Sequence, residues 1–289
     1  MSATDAPALP PIRSSRSESV RVERERRTNS FTELAARVRE QGLNTRTRWF
    51  YLTLLGVLIL ALAAAFTGMA LLGHSWFQLL IAAALGIIFI QFAFLGHEAS
   101  HRQVFASGRA NDRLGRVVAT FFVGISYAWW MTKHNRHHGN PNHVGRDPDI
   151  APGWVAFTDD DAAVSTGFNG WMTRRQGWLF FPLLTLVGLD LHQASIARLF
   201  RRGKLEGRAQ ELLWLSLRFT IYLGAVFWLL PVGMAFAFLG VQMAVFGCYM
   251  GLSFSPNHIG MPIVPHGVKL DFLDKQVMTS RNVSGGWVA

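Results

Sequence analysis

WFYLTLLGVLILALAAAFTGMALLG (Trp49–Gly73) contains no Asp, Glu, Lys or Arg over 25 residues. At about 1.5 Å of rise per residue, a helix of that length crosses a hydrocarbon core of about 30 Å with some tilt. After the short turn Gly73-His74-Ser75, the apolar run Trp76–Leu95 returns the chain to the side it left. Near the other end Leu212–Leu230 and Val232–Phe254, joined at Pro231, form a second hairpin of the same kind. Half of the 289 residues are hydrophobic, more than a soluble enzyme of ordinary composition carries. The expected fold is therefore all-α and integral to a membrane, with four transmembrane helices.

Charge gives the orientation. The net charge is +10, yet both hairpin turns lack Lys and Arg and nearly every basic residue falls on the other side. That asymmetry is expected of cytoplasmic loops, and it replaces the nucleic-acid reading that a basic soluble protein would invite. The single Cys248 lies in an apolar run and cannot form an internal disulfide, consistent with chemistry facing a reducing cytosol. Residues 1–40, with the mixed-charge run Arg21–Arg27, read as a disordered basic cytoplasmic tail that ends in a short amphipathic helix from Phe31 to Gln41. Residues 41–289 make up the membrane domain.

The segments between the hairpins are less regular. Val117–Met131 is short for a span, and its Tyr127, Trp129 and Trp130 suit the headgroup level of the cytoplasmic surface. Gly139–Gly170 reads as a long polar loop. Trp178–Leu191 is interrupted by Pro182, Gly188 and Asp190. If it crossed, His258 would lie on the opposite face from His97 and His134, so it is read as interfacial or re-entrant. Arg218, near the start of the third span, is expected to snorkel toward the headgroups, and Gln242, mid-span, needs a partner.

Five of the ten histidines fall in two clusters, His97-Glu98-Ala99-Ser100-His101 and His134-Asn135-Arg136-His137-His138. On helices, His97 and His101 share one face, as do His134, His137 and His138, so each cluster points several neutral nitrogens at one place. The expectation is a metal site on a helical cap at the cytoplasmic face, because imidazole suits zinc, copper, iron and nickel. His258, after the last span, falls on the same side.

His97-Glu98-x-x-His101 also matches the H-E-x-x-H pattern, in which two histidines bind zinc and the glutamate activates water, and so suggests an intramembrane zinc metalloprotease. Such an enzyme needs a third ligand, usually a carboxylate on another span, and the last two apolar runs contain none at depth. It also leaves His134, His137 and His138 unexplained. More than four imidazoles exceed the needs of one tetrahedral zinc, so two metal ions are the simpler inference.

Taken together, Gly96-His97-Glu98-Ala99-Ser100-His101, the stretch from His134 through His138 to Ile150, and Phe254-Ser255-Pro256-Asn257-His258 resemble the membrane fatty acid desaturases, nearest the bacterial acyl-lipid or acyl-CoA enzymes related to the Δ6 type. The likeness runs from about Arg48 to the end. It implies O2-dependent desaturation of a fatty acyl chain in lipid metabolism, at a di-iron centre whose ligands include His97, His101, His134, His137, His138 and His258. Asn257 is then expected near the metal, with Asp147 and Asp149 orienting ligand imidazoles; His143 and His192 are read as supporting groups rather than ligands. Other histidine-box membrane oxygenases and hydroxylases share this metal logic.

Removing hydrogen from an unactivated methylene needs a strong oxidant made from O2 at the metal, beside a long apolar slot. Candidates for the slot are Tyr127–Trp130, Phe180–Leu184 and the cytoplasmic ends of the spans. The family's third histidine box is expected beyond Arg281–Ala289; a chain ending before it is expected to lack ligands for at least one iron and to be inactive as it stands. The tail has no cytochrome b5-like pattern, so electrons are expected from a separate donor: a ferredoxin, a rubredoxin-like protein, or a cytochrome b5-like protein with a reductase.

Overall fold

A computed structural model describes residues 31–282. Among them the chain is helical, and the only strand-like pairing is one bridge between His143 and Val264. The described residues divide into two compact units, one of 31–45 with 269–277 and the other of 46–268 with 278–282. In the smaller unit a helix, α1, covers residues 31–40, and the Phe31 and Phe272 rings meet edge to face at 5.4 Å. Arg21–Arg27 and the rest of 1–30 lie outside the described residues.

The larger unit holds α2 (Arg48–Leu72), α3 (Gln78–Ser100), α4 (Gly108–Arg116), a π-helical segment (Val117–Val123), α5 (Tyr127–Gly139), α6 (Asp159–Val164), α7 (Gly167–Thr173), α8 (Gln176–Phe200), α9 (Arg208–Leu229) and α10 (Val232–His258); α11 (Phe272–Thr279) follows. Five of these helices, α2, α3, α8, α9 and α10, are long and apolar enough to cross a membrane. The first hairpin closes where the buried amide of Gln78 donates to the carbonyls of Met69 and Gly73 at 2.7 and 2.8 Å. Those carbonyls have no further helical turn to bond, so a side-chain donor at that depth satisfies them.

The core gathers around α3, where Phe89, Ile90, Phe92 and Leu95 are all buried. Glycines bring the helix backbones together. A side chain at Gly86 would meet the Gln242 carbonyl at 2.8 Å, and one at Gly188 would meet Phe246 at the same distance. Packing by small residues is what holds helices together where lipid removes the hydrophobic drive. Gln242 has the partner it needs, the Tyr222 hydroxyl at 3.3 Å.

Several expectations are corrected. Val117–Met131 is not one helix: the chain breaks at Gly124, whose φ of 98° is left-handed, and the helices on either side bend by 113°. Arg218 does not snorkel. Its Nε donates inward to the Phe122 carbonyl at 3.0 Å, because the broken segment leaves that carbonyl with no helical donor. The 139–170 loop contains α6 and the start of α7, α6 opening on Thr158, whose side chain accepts from the Asp161 amide at 3.1 Å. Finally, Pro182 does not interrupt α8, which is continuous over 25 residues.

Candidate metal centre

α3 delivers His97 in its last turn and His101 at its C-cap, while α5 carries His134, His137 and His138. The start of α5 is fixed by a buried polar network. Ser126 caps the helix, its Oγ accepting from the Trp129 amide at 3.1 Å and donating to Glu211. The Ser126 amide donates to Ser195 Oγ at 2.7 Å, and the Ala128 amide to Glu211 Oε1 at 3.0 Å. Glu211 is fully buried and faces Arg116 at 3.4 Å. A carboxylate at a helix N-terminus complements the unpaired amides and the helix dipole, so α4, α8 and α9 together aim the histidine helix.

His97, His101, His134 and His138 present nitrogens that all lie within 4.8 Å of one another. The Nε2 atoms of His101 and His134 are 3.1 Å apart, the separation of two neighbouring ligands about 2.0–2.1 Å from one ion. His134 is buried, and its Nδ1 has no hydrogen-bond partner among the described residues. Four imidazoles that each offer a nitrogen within 4.8 Å of the others fit a metal that takes up their lone pairs. Burial first, and then the neighbouring imidazoles, push the His134 pKa down to about 3 and that of His138 to about 4; His101 is lowered for the same reasons. The rings are thus held neutral and ready to ligate.

A second pair lies outside this group. The His137 and His258 rings are 4.7 Å apart, and His138 links the two sets, 4.3 Å from His134 and 5.5 Å from His137. His137 Nδ1 faces Asp147 at 3.0 Å and Asp149 at 3.2 Å. Asp147 also accepts from the amides of Asn142 and Asp149, at 2.8 and 2.9 Å, while Lys133 pairs with Asp149. His137, Asp147 and Asp149 form a second group whose ligand atoms lie within 4.8 Å of one another. His258 Nδ1 faces the Thr279 carbonyl at 2.9 Å, which leaves Nε2 of each ring for a ligand. Asn257, the neighbour of His258, accepts at its backbone carbonyl from the Arg281 amide at 2.8 Å.

His143 and His192 are not brought into either set. Both nitrogens of each face backbone carbonyls, at 2.9 Å for His143 and at 2.7 and 3.2 Å for His192. The Glu98 carboxylate accepts from the Tyr51 hydroxyl at 2.8 Å and sits 3.9 Å from His97 Nδ1. The sequence reading missed Glu211, Ser126 and Ser195, none of which bears a spacing signal.

An apolar cavity of about 30 Å³ opens against His97, between Phe94 and Ala93 on α3, Val123 on the π segment, Trp130 on α5, and Met250 and Phe254 on α10. Of the slot candidates, Trp130 and the ends of α3 and α10 line it, whereas Phe180–Leu184 does not. Tyr127 instead packs against Gly115 and donates to Asp112 at 3.1 Å, and Leu184 meets Gly251 on α10.

The family model described as "Fatty acid desaturase" matches residues 74–289. Among curated relatives, a Delta(8)-fatty-acid desaturase of Arabidopsis thaliana is 26% identical over 89% of this chain and 60% of its own length. A Delta(5) fatty acid desaturase of Caenorhabditis elegans is 26% identical over 89% of this chain and 59% of its own. An acyl-lipid (9-3)-desaturase of Borago officinalis is 28% identical over 62% of this chain and 42% of its own. The chain thus spans three-fifths or less of the length of these relatives.

Proposed function

The chain belongs to the fatty acid desaturase family, and from that premise we propose that it inserts a double bond into a fatty acyl chain. The substrate is a fatty acyl-CoA or an acyl-lipid. The overall chemistry takes two hydrogens from adjacent methylenes, two electrons and two protons from a donor, and reduces O2 to two waters. We assign two irons to the centre, whose ligands include His97, His101, His134, His137, His138 and His258, with Asp147 and Asp149 orienting His137. When bound, the irons supply the oxidising power from O2 that no side chain can. The carrying observation is the four-imidazole group, its nitrogens within 4.8 Å of one another and beside an apolar cavity.

The residues divide the rest of the work. His101, His134 and His138, their pKa values lowered by burial, accept metal without first losing protons, and the apolar lining keeps water from the reacting methylene. The cavity is far smaller than the roughly 300–1,000 Å³ of ordinary ligand sites. Trp130, Phe254 and Met250 therefore give way as the chain enters.

Four crossings, α2, α3, α9 and α10, suit the site. The His97 and Phe254 rings lie 5.6 Å apart, which supports the ends of α3 and α10 sharing a face, with an even number of crossings between them. α8 therefore crosses only if the bent α4–α5 segment does too. Arg174 and Arg175 precede α8, and Arg198, Arg201 and Arg202 close it, which favours both ends on one cytoplasmic face, with the histidines. Electrons then come from a separate cytoplasmic donor.

The test is gas chromatography of fatty acids from a host that expresses the protein, extended by a third histidine box, with an electron-donor system. The expected result is an unsaturated product that disappears in His134→Ala. Peptide cleavage dependent on Glu98, with zinc bound and no unsaturated product, would overturn it.

A further inference from the structure

The π-helical segment ends at Val123, capped by Gly124, and Ala119, Val123 and Ile125 line the apolar cavity; its last two carbonyls are those of Phe122 and Val123. The Gly124 and Ile125 amides both turn back to the Ala119 carbonyl, at 3.0 and 2.9 Å; the next amide, that of Ser126, donates to Ser195. Phe122 and Val123 are met instead from neighbouring helices. Arg218 Nε on α9 donates to Phe122 at 3.0 Å, and His192 Nε2 on α8 faces Val123 at 3.2 Å. A neutral imidazole donates through one nitrogen only, and His192 faces a carbonyl with each. Arg218 is thus the donor that does not depend on a tautomer.

Its setting is unusual. The guanidinium lies over the rings of Phe89 and Tyr222, at 4.6 and 4.1 Å, with no carboxylate within ion-pair distance among the described residues. A charge inside an apolar helix is costly and marks function by default. Here an α3 aromatic, an α9 aromatic and the break in the π segment all converge on it. Phe89 lies one turn from the cavity residue Ala93, and Phe122 is adjacent to the cavity residue Val123.

We propose that Arg218 is a positioning residue that clamps the break at Gly124, fixing the cavity wall from Ala119 to Ile125 and the direction in which α5 presents its histidines. This rests on the desaturase reading for its catalytic consequence but not for its structural one. Arg is suited because a planar, permanently charged fork can donate to a carbonyl and stack on two rings at once.

The experiment compares Arg218→Met, Arg218→Lys and wild type as purified, detergent-solubilised protein by hydrogen exchange with mass spectrometry, iron content, and kcat and KM for desaturation. In Arg218→Met, amide exchange over 119–128 should rise about tenfold or more, with the α2–α3 hairpin unchanged. Iron content should stay near wild type, and kcat should fall about tenfold with KM little altered. Arg218→Lys, still able to donate to the carbonyl, should recover much of both. Unchanged exchange over 119–128 in Arg218→Met overturns the clamp. So does a rise spread evenly over all helices, which marks general destabilisation. If Arg218→Met does not accumulate, Arg218→Gln replaces it under the same criteria. Absence of product from wild type would remove the desaturase reading, while the exchange arm still decides the clamp.

Discussion

The inner imidazole group and the outer pair are organised in different ways. His97, His101, His134 and His138 come together where rings from the end of α3 meet rings from α5, and they offer nitrogens within 4.8 Å of one another; His134 Nδ1 has no hydrogen-bond partner among the described residues. His137 and His258 are each tied by Nδ1 to a fixed acceptor, Asp147 or the Thr279 carbonyl. The placement of α5 by Ser126, Ser195 and Glu211 preorganises the first set, and hydrogen bonding from behind preorganises the second. Disruption should therefore reach them by different routes.

The largest effect should come from His134→Ala. It removes the most buried ligand of the inner group, so iron content should drop to the level carried by the outer pair and desaturation should fall at least about 100-fold. Elemental analysis and product chromatography check both. Asp147→Asn should act on the other set, lowering metal affinity there about 10–100-fold while leaving the inner group filled; metal titration that shows both sites weakened equally would erase the distinction.

Glu211→Ala should affect both sets, since it unpins α5 as a whole. Loss of hydrogen bonds to a buried carboxylate predicts a destabilisation of about 1.5–3 kcal/mol, read as a lower thermal midpoint with all five box histidines retained. The smallest effect belongs to Glu98→Gln. The amide can still accept from Tyr51, so turnover should change by less than about threefold on a hydrogen-bond argument; complete loss would return Glu98 to the chemistry.

Much of this was legible in the sequence. Trp49–Gly73 spells a long apolar helix with no competing signal, and α2 covers Arg48–Leu72. The i, i+4 spacings bring His97, His101, His134 and His138 together, but His137, at i+3, turns instead to His258 and Asp147. What escaped depended on tertiary partners. Val117–Met131 reads as one apolar helix, although Gly124 followed by Ser126, a good N-cap residue, was a usable sign of a break. Glu211 reads as an exposed residue at a span's end, and only its neighbours Ser126, Ala128 and Arg116 explain its burial. Arg218 followed the snorkelling rule until the carbonyl of Phe122, freed by the break, offered it an inward partner.

The central claim is that the imidazoles of α3 and α5 hold iron. Mössbauer spectroscopy of protein grown on iron-57, with parallel elemental analysis of His134→Ala, tests it most directly. The account predicts nitrogen-ligated iron in wild type and a marked loss in the variant; zinc in place of iron, or an iron signal untouched by the substitution, would contradict it.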